Sequence, residues 1–125
     1  MAGRIRPRLL LAAGALATLV AGAGPALAHA FLDHADPRVG STVSSPPAAL
    51  TLTFTEPIEA AFSRVELTDA AGKRIEIGPL QHPTPATITV SLPALAPGSY
   101  KVIWAVVSVD THPTEGHFEF VVKGP

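Results

Sequence analysis

Hydrophobic and polar residues alternate along most of this chain. Leu50, Leu52 and Phe54 are interleaved with Thr51, Thr53 and Thr55, and Ile88, Val90 and Leu92 with Thr87, Thr89 and Ser91. Phe118, Phe120 and Val122 alternate with His117 and Glu119, while Val65 and Leu67 flank Glu66, and Ile75 and Ile77 flank Glu76. A period of two predicts β-strands with one buried face. Tyr100 to Val107 is apolar on both faces apart from Lys101, which predicts a central strand covered on both sides. Trp104 lies in the middle of that run and reads as a core anchor. Pro46-Pro47, Asp69-Ala70-Ala71-Gly72, Gly78-Pro79, Pro83 with Pro85, and Pro97-Gly98 separate the runs and read as turns. No stretch carries a helical period with caps; Ile58 to Phe62 predicts at most one short turn. About seven short strands at roughly ten-residue spacing predict an all-β sandwich of two antiparallel sheets.

The beginning of the chain breaks this pattern. Arg4, Arg6 and Arg8 precede a long apolar run, and Ala26-Leu27-Ala28 has the small-x-small form of a cleavage site. Residues 1–28 therefore read as a secretory signal peptide and residues 29–125 as one small domain. The run is about long enough to span a bilayer, but Gly22, Gly24 and Pro25 would break a helix just before the cut. The expected location is periplasmic or secreted.

Charge and composition narrow the function. The whole chain carries a formal charge of −1, and loss of Arg4, Arg6 and Arg8 with the leader would leave −4. A mildly acidic domain with no basic patch is a poor match for nucleic acid and a better one for a cation. There is no cysteine, which excludes disulfides and thiolate chemistry. The single methionine is Met1, so no thioether remains downstream as a soft ligand for Cu(I). No Gly-rich phosphate loop and no H-E-x-x-H motif is present.

The candidate chemistry begins at His29. Cleavage after Ala28 would give this residue a free α-amine beside its own imidazole, and the two nitrogens can close a chelate ring on one metal ion. Asp110 and His112, two residues apart at the end of the Tyr100–Val109 run, would share a face if the backbone stayed extended. One amine, two imidazoles and a carboxylate form a nitrogen-rich donor set suited to tetragonal Cu(II). The amine, with an ordinary pKa of about 7.7–8.0, would lose its proton readily near neutrality. On its own an Asp-x-His pair is a weak signal, equally compatible with a solvated strand end.

Five ordered motifs go further. His29-Ala30-x-Leu32, Pro37-x-x-Gly40-Ser41, Phe54-Thr55-Glu56-Pro57, Pro97-Gly98-Ser99-Tyr100-Lys101-Val102-x-Trp104, and Ser108-x-Asp110-Thr111-His112-Pro113-x-x-Gly116-x-Phe118-x-Phe120 resemble the CopC family of periplasmic copper-resistance proteins. The resemblance spans residues 29–125. It implies a Greek-key β-sandwich or barrel, cupredoxin- or immunoglobulin-like, and one Cu(II) ion held by His29, Asp110 and His112. Glu56 is implied as a weaker ligand, or as an acceptor that orients an imidazole. The Cu(I) site that some family members build from a methionine-rich loop has no counterpart here. The implied role is non-enzymatic: copper sequestration and tolerance, or delivery to a CopD-like inner-membrane transporter.

Two other readings compete. A histidine at the mature N-terminus resembles the copper brace of polysaccharide monooxygenases, although Asp110 would occupy part of the coordination plane and the chain has few aromatics for a polysaccharide platform. A metal-free β-sandwich interaction module fits composition alone. Of the remaining histidines, His34 is close to His29 in sequence, His117 is expected to point away from the core with an accessory role open to it, and His82 reads as solvated in a Pro-rich loop.

Overall fold

The computed structural model describes residues 29–124, so the proposed leader, residues 1–28, lies outside the described residues. Among the described residues nine strands run in chain order: β1 (Leu32–Asp36), β2 (Thr42–Val43), β3 (Ala49–Phe54), β4 (Arg64–Asp69), β5 (Arg74–Ile75), β6 (Gln81–Thr84), β7 (Thr87–Ser91), β8 (Gly98–Val107) and β9 (Pro113–Val122). One 3-10 turn, Ala60–Phe62, falls inside the segment expected to turn. Among the described residues no helix is long and apolar enough to cross a membrane.

The strands form two sheets, ordered β1-β3-β7-β6 and β2-β9-β8-β4-β5. This is the sandwich form of the expectation, and the sheets do not join into a closed barrel. The alternating residues account for it. Leu50, Leu52, Phe54, Ile88 and Val90 enter the core from the first sheet, and Leu67, Val102, Trp104, Val106, Phe118, Phe120 and Val122 from the second. Phe54 meets Trp104 edge-on across the two sheets, with centroids 5.2 Å apart. Each fully buried apolar side chain of this size contributes about 1.5–3 kcal/mol, and the domain relies on these in place of cross-links.

Three expectations need correction. β8 is central in its sheet but is fully covered on one face only: Tyr100, Val102, Trp104 and Val106 are buried, while on the other face Ile103 is exposed and Ala105 and Val107 are half-buried. Its apolar character on both faces therefore overstated its burial. Pro83 lies inside a strand, not in a turn. β6 is a sheet edge, where the N–H that proline lacks is not needed for pairing. The count of about seven strands missed the short elements, above all β2, which pairs in parallel with β9 through only Thr42 and Val43.

The end of the sandwich nearest the candidate residues is tied together by backbone. Ile58 bridges Ser108. The Glu59 N–H donates to the Val107 carbonyl at 2.7 Å, and the Val109 N–H to the Pro57 carbonyl at 3.1 Å. The segment after β3 is thereby laid against the β8–β9 connection.

Candidate metal centre

β8 ends at Val107, and the chain then turns instead of continuing extended. The Thr111 N–H donates to the Ser108 carbonyl at 2.8 Å, and the Ser108 N–H to the His112 carbonyl at 3.0 Å. Thr111 has φ of 72°, a left-handed conformation that is costly for a β-branched residue. The premise that Asp110 and His112 share a face because they are two apart on a strand is therefore wrong. A tight turn brings them together instead: His112 Nδ1 lies 3.2 Å from Asp110 Oδ1.

Ser108 organises this turn. Among the described residues it is the one buried polar or charged residue, 1% exposed. Its hydroxyl donates to the Asp110 carboxylate and accepts from the His112 N–H at 3.2 Å. That hydroxyl, followed by the neighbouring imidazole of His112, holds the Asp110 carboxyl below the usual aspartate value. Asp110 is therefore a ready anion at neutral pH. His112 Nδ1 is buried yet has no hydrogen-bond partner among the described residues, its approach to Asp110 being out of line for a bond. An unsatisfied buried polar atom costs about 1–3 kcal/mol, and ligation by a cation is one way to relieve it.

His29 arrives from the opposite end of the chain. Its ring lies edge-on to that of His112, with centroids 4.9 Å apart at 70°, and 6.1 Å from the exposed Phe31. Eighty-odd residues of fold separate the two histidines in sequence, so only the sandwich joins them. Glu56 follows β3 by two residues and is half-buried; the Pro57–Val109 bond places its backbone beside the turn. The described residues contain no group of three or more His, Cys, Asp or Glu side chains already drawn in to hold a metal. The arrangement is pairwise: His29 against His112, and Asp110 against His112.

The remaining histidines are elsewhere. His34 Nδ1 pairs with Asp33 at 2.8 Å on β1, and both side chains are exposed. His82 belongs to β6, with Nε2 3.0 Å from the Pro85 carbonyl, so it is engaged locally and is not a free loop histidine. His117 faces away from the core in mid-β9, opposite Ile103, some distance along the strand from His112. Residues that sequence reasoning passed over are Ser108, Thr55 and Thr114. The first two stood inside quoted motifs without a role, and Thr114 carried no signal, because a hydroxyl facing a distant carbonyl leaves no periodic trace.

Comparison with known proteins places the chain in a family and matches its fold. Residues 32–123 match the family model described as the CopC domain. The protein YobA of Escherichia coli K12 is 38% identical over 99 residues, covering 77% of this chain and 80% of that protein. The copper resistance protein C of Xanthomonas campestris pv. juglandis is 36% identical over 107 residues, covering 78% of this chain and 83% of its own length. The crystal structure of CopC from Methylosinus trichosporium OB3b superposes with a TM-score of 0.71 at 35% identity, covering 77% of this chain and 95% of that one. On the extent of these matches, and with the same sandwich underneath them, this chain belongs to the CopC family.

Proposed function

We propose that the processed protein, beginning at His29, is a non-enzymatic binder of one Cu(II) ion in the periplasm or exported space. The α-amine and imidazole of His29, the imidazole of His112 and the carboxylate of Asp110 supply the donors, with Glu56 alongside. Its role is copper tolerance by sequestration, or by transfer to a CopD-like membrane transporter. The observation that carries this reading is the edge-on approach of His29 to His112, whose buried and unpartnered Nδ1 faces the Asp110 carboxylate. The copper-resistance names of the relatives support the metal. The donor set supports the oxidation state, since amine, imidazole and carboxylate favour Cu(II), and no thioether remains for Cu(I).

The groups need no cation to sit pairwise, but closing them around one point brings carboxylate and nitrogen lone pairs together, which a divalent ion compensates. The uncut chain lacks one donor, because the His29 nitrogen is then an amide. Cu(II) titration of the processed protein against its His29→Ala variant tests the reading. Equal binding by the two would overturn it, whereas loss of at least about 100-fold is expected on removing a chelating residue, beyond the 10–100-fold typical of supporting partners.

A further inference from the structure

Residues 29–31 precede the first strand, so their placement does not come from a long ladder. Two threonine hydroxyls hold them instead. Thr55, immediately after β3, accepts from the Phe31 N–H through Oγ1 at 3.0 Å and donates from the same oxygen to the His29 carbonyl at 3.4 Å. Its own N–H donates to the Phe31 carbonyl at 2.8 Å. Thr114, near the start of β9, donates from Oγ1 to the Ala30 carbonyl at 2.6 Å. β3 belongs to one sheet and β9 to the other. The tripeptide therefore crosses the open end of the sandwich and is fastened on both sides, with the Ala30 side chain fully buried between the two fastenings.

We infer that Thr55 and Thr114 are positioning residues for the metal site: together they buckle the mature N-terminus so that the His29 imidazole lies against His112 before the ion arrives. This rests on the copper reading above. The physical basis is preorganisation. A terminal residue with a free amine has the most freedom of any ligand in the set, and ordering it at the moment of binding would cost affinity. Three hydroxyl-mediated hydrogen bonds meet that ordering requirement during folding. Neither threonine touches the metal in this scheme; each acts through the backbone of residues 29–31.

The test uses processed protein in four forms: wild type, Thr114→Val, Thr114→Ser and His29→Ala. Valine keeps the shape of threonine and removes the hydroxyl, while serine keeps the hydroxyl. Cu(II) affinity is measured by competition with a chelator, and the electron paramagnetic resonance spectrum of the loaded protein is recorded. Thr114→Val is expected to bind roughly tenfold more weakly, the equivalent of one lost hydrogen bond, with a spectrum broadened toward mixed coordination. Thr114→Ser is expected to restore both. Wild-type affinity and spectrum in Thr114→Val, with His29→Ala impaired, would overturn the buckle while leaving the copper site standing. If wild type and His29→Ala bind alike, the copper reading itself has failed. The buckle is then judged, as it also is if Thr114→Val does not fold, by hydrogen exchange of the Phe31 amide in metal-free wild type: protection supports it, and exchange at the unfolded-chain rate overturns it.

Discussion

Replacing Gly116 by alanine would press directly on the core packing of Trp104. Gly116 is opposite Trp104 in the β8–β9 ladder. A Cβ at this position would stand 2.5 Å from the indole Cζ2 and 2.9 Å from Cε2, against an ordinary carbon–carbon separation of about 3.5–4.0 Å. The indole has little room to yield, because it is 6% exposed and Phe54 packs edge-on against it. Overpacking of this kind costs about 1–3 kcal/mol. Exchanging glycine for alanine within a strand returns about 0.5–1 kcal/mol of backbone entropy. Taking like ends of the two ranges, the net loss is about 0.5–2 kcal/mol, which at about 4–8 °C per kcal/mol lowers Tm by roughly 2–16 °C in a domain of this size. Thermal unfolding followed by fluorescence reads the effect cleanly, since Trp104 is the sole tryptophan. A Tm equal to or above that of wild type, with an unshifted emission maximum, would refute the claim that the absence of a side chain at Gly116 makes the space the indole fills.

Other outcomes follow from the site. Asp110 has a folded-state pKa below its ordinary value of 3.8, so its contribution to stability is fully present above that value and is lost as pH falls through the lower folded one; acid unfolding of metal-free protein should be less steep in Asp110→Asn over that range. Ser108→Ala removes the main cause of the shift, and the Asp110 carboxyl should titrate closer to the ordinary aspartate value by carbon-13 NMR; an unmoved titration would deny Ser108 this role. Copper affinity should fall as pH is lowered from about 8 toward 5, because the amine and imidazoles ordinarily take up protons in that range, and a flat profile in a chelator competition would contradict the nitrogen-rich donor set. His112→Ala should weaken copper binding while leaving His34→Ala at wild-type affinity, measured by the same competition, because His34 pairs with Asp33 on β1.

Much of this protein is legible in its amino-acid sequence. Alternation at Leu50–Phe54, Thr87–Leu92 and His117–Val122 places one side of each strand in the core, and the structure has those apolar side chains buried, except Leu92, which is half-buried. Periodicity works there because a strand with one wet face writes its orientation into every second residue. The same logic overreached at β8, where apolar residues stand on a face that is only partly covered, and it passed over β6, where prolines signal a turn but an edge strand tolerates them.

The chain order alone also supplied the chemistry of the proposed donors: a histidine behind a candidate cleavage signal, an Asp-x-His motif, and the absence of cysteine and downstream methionine. What only the tertiary structure decided is how these groups meet. Asp110 and His112 face each other through a turn with a left-handed Thr111 and a buried Ser108, not through strand geometry. His29 lies against His112 where Thr55, just after β3, and Thr114, on β9, hydrogen-bond the backbone of residues 29–31. Contacts of that kind join residues far apart in the chain through single hydroxyls, and they depend on the packing of two sheets, which no local pattern of residues records.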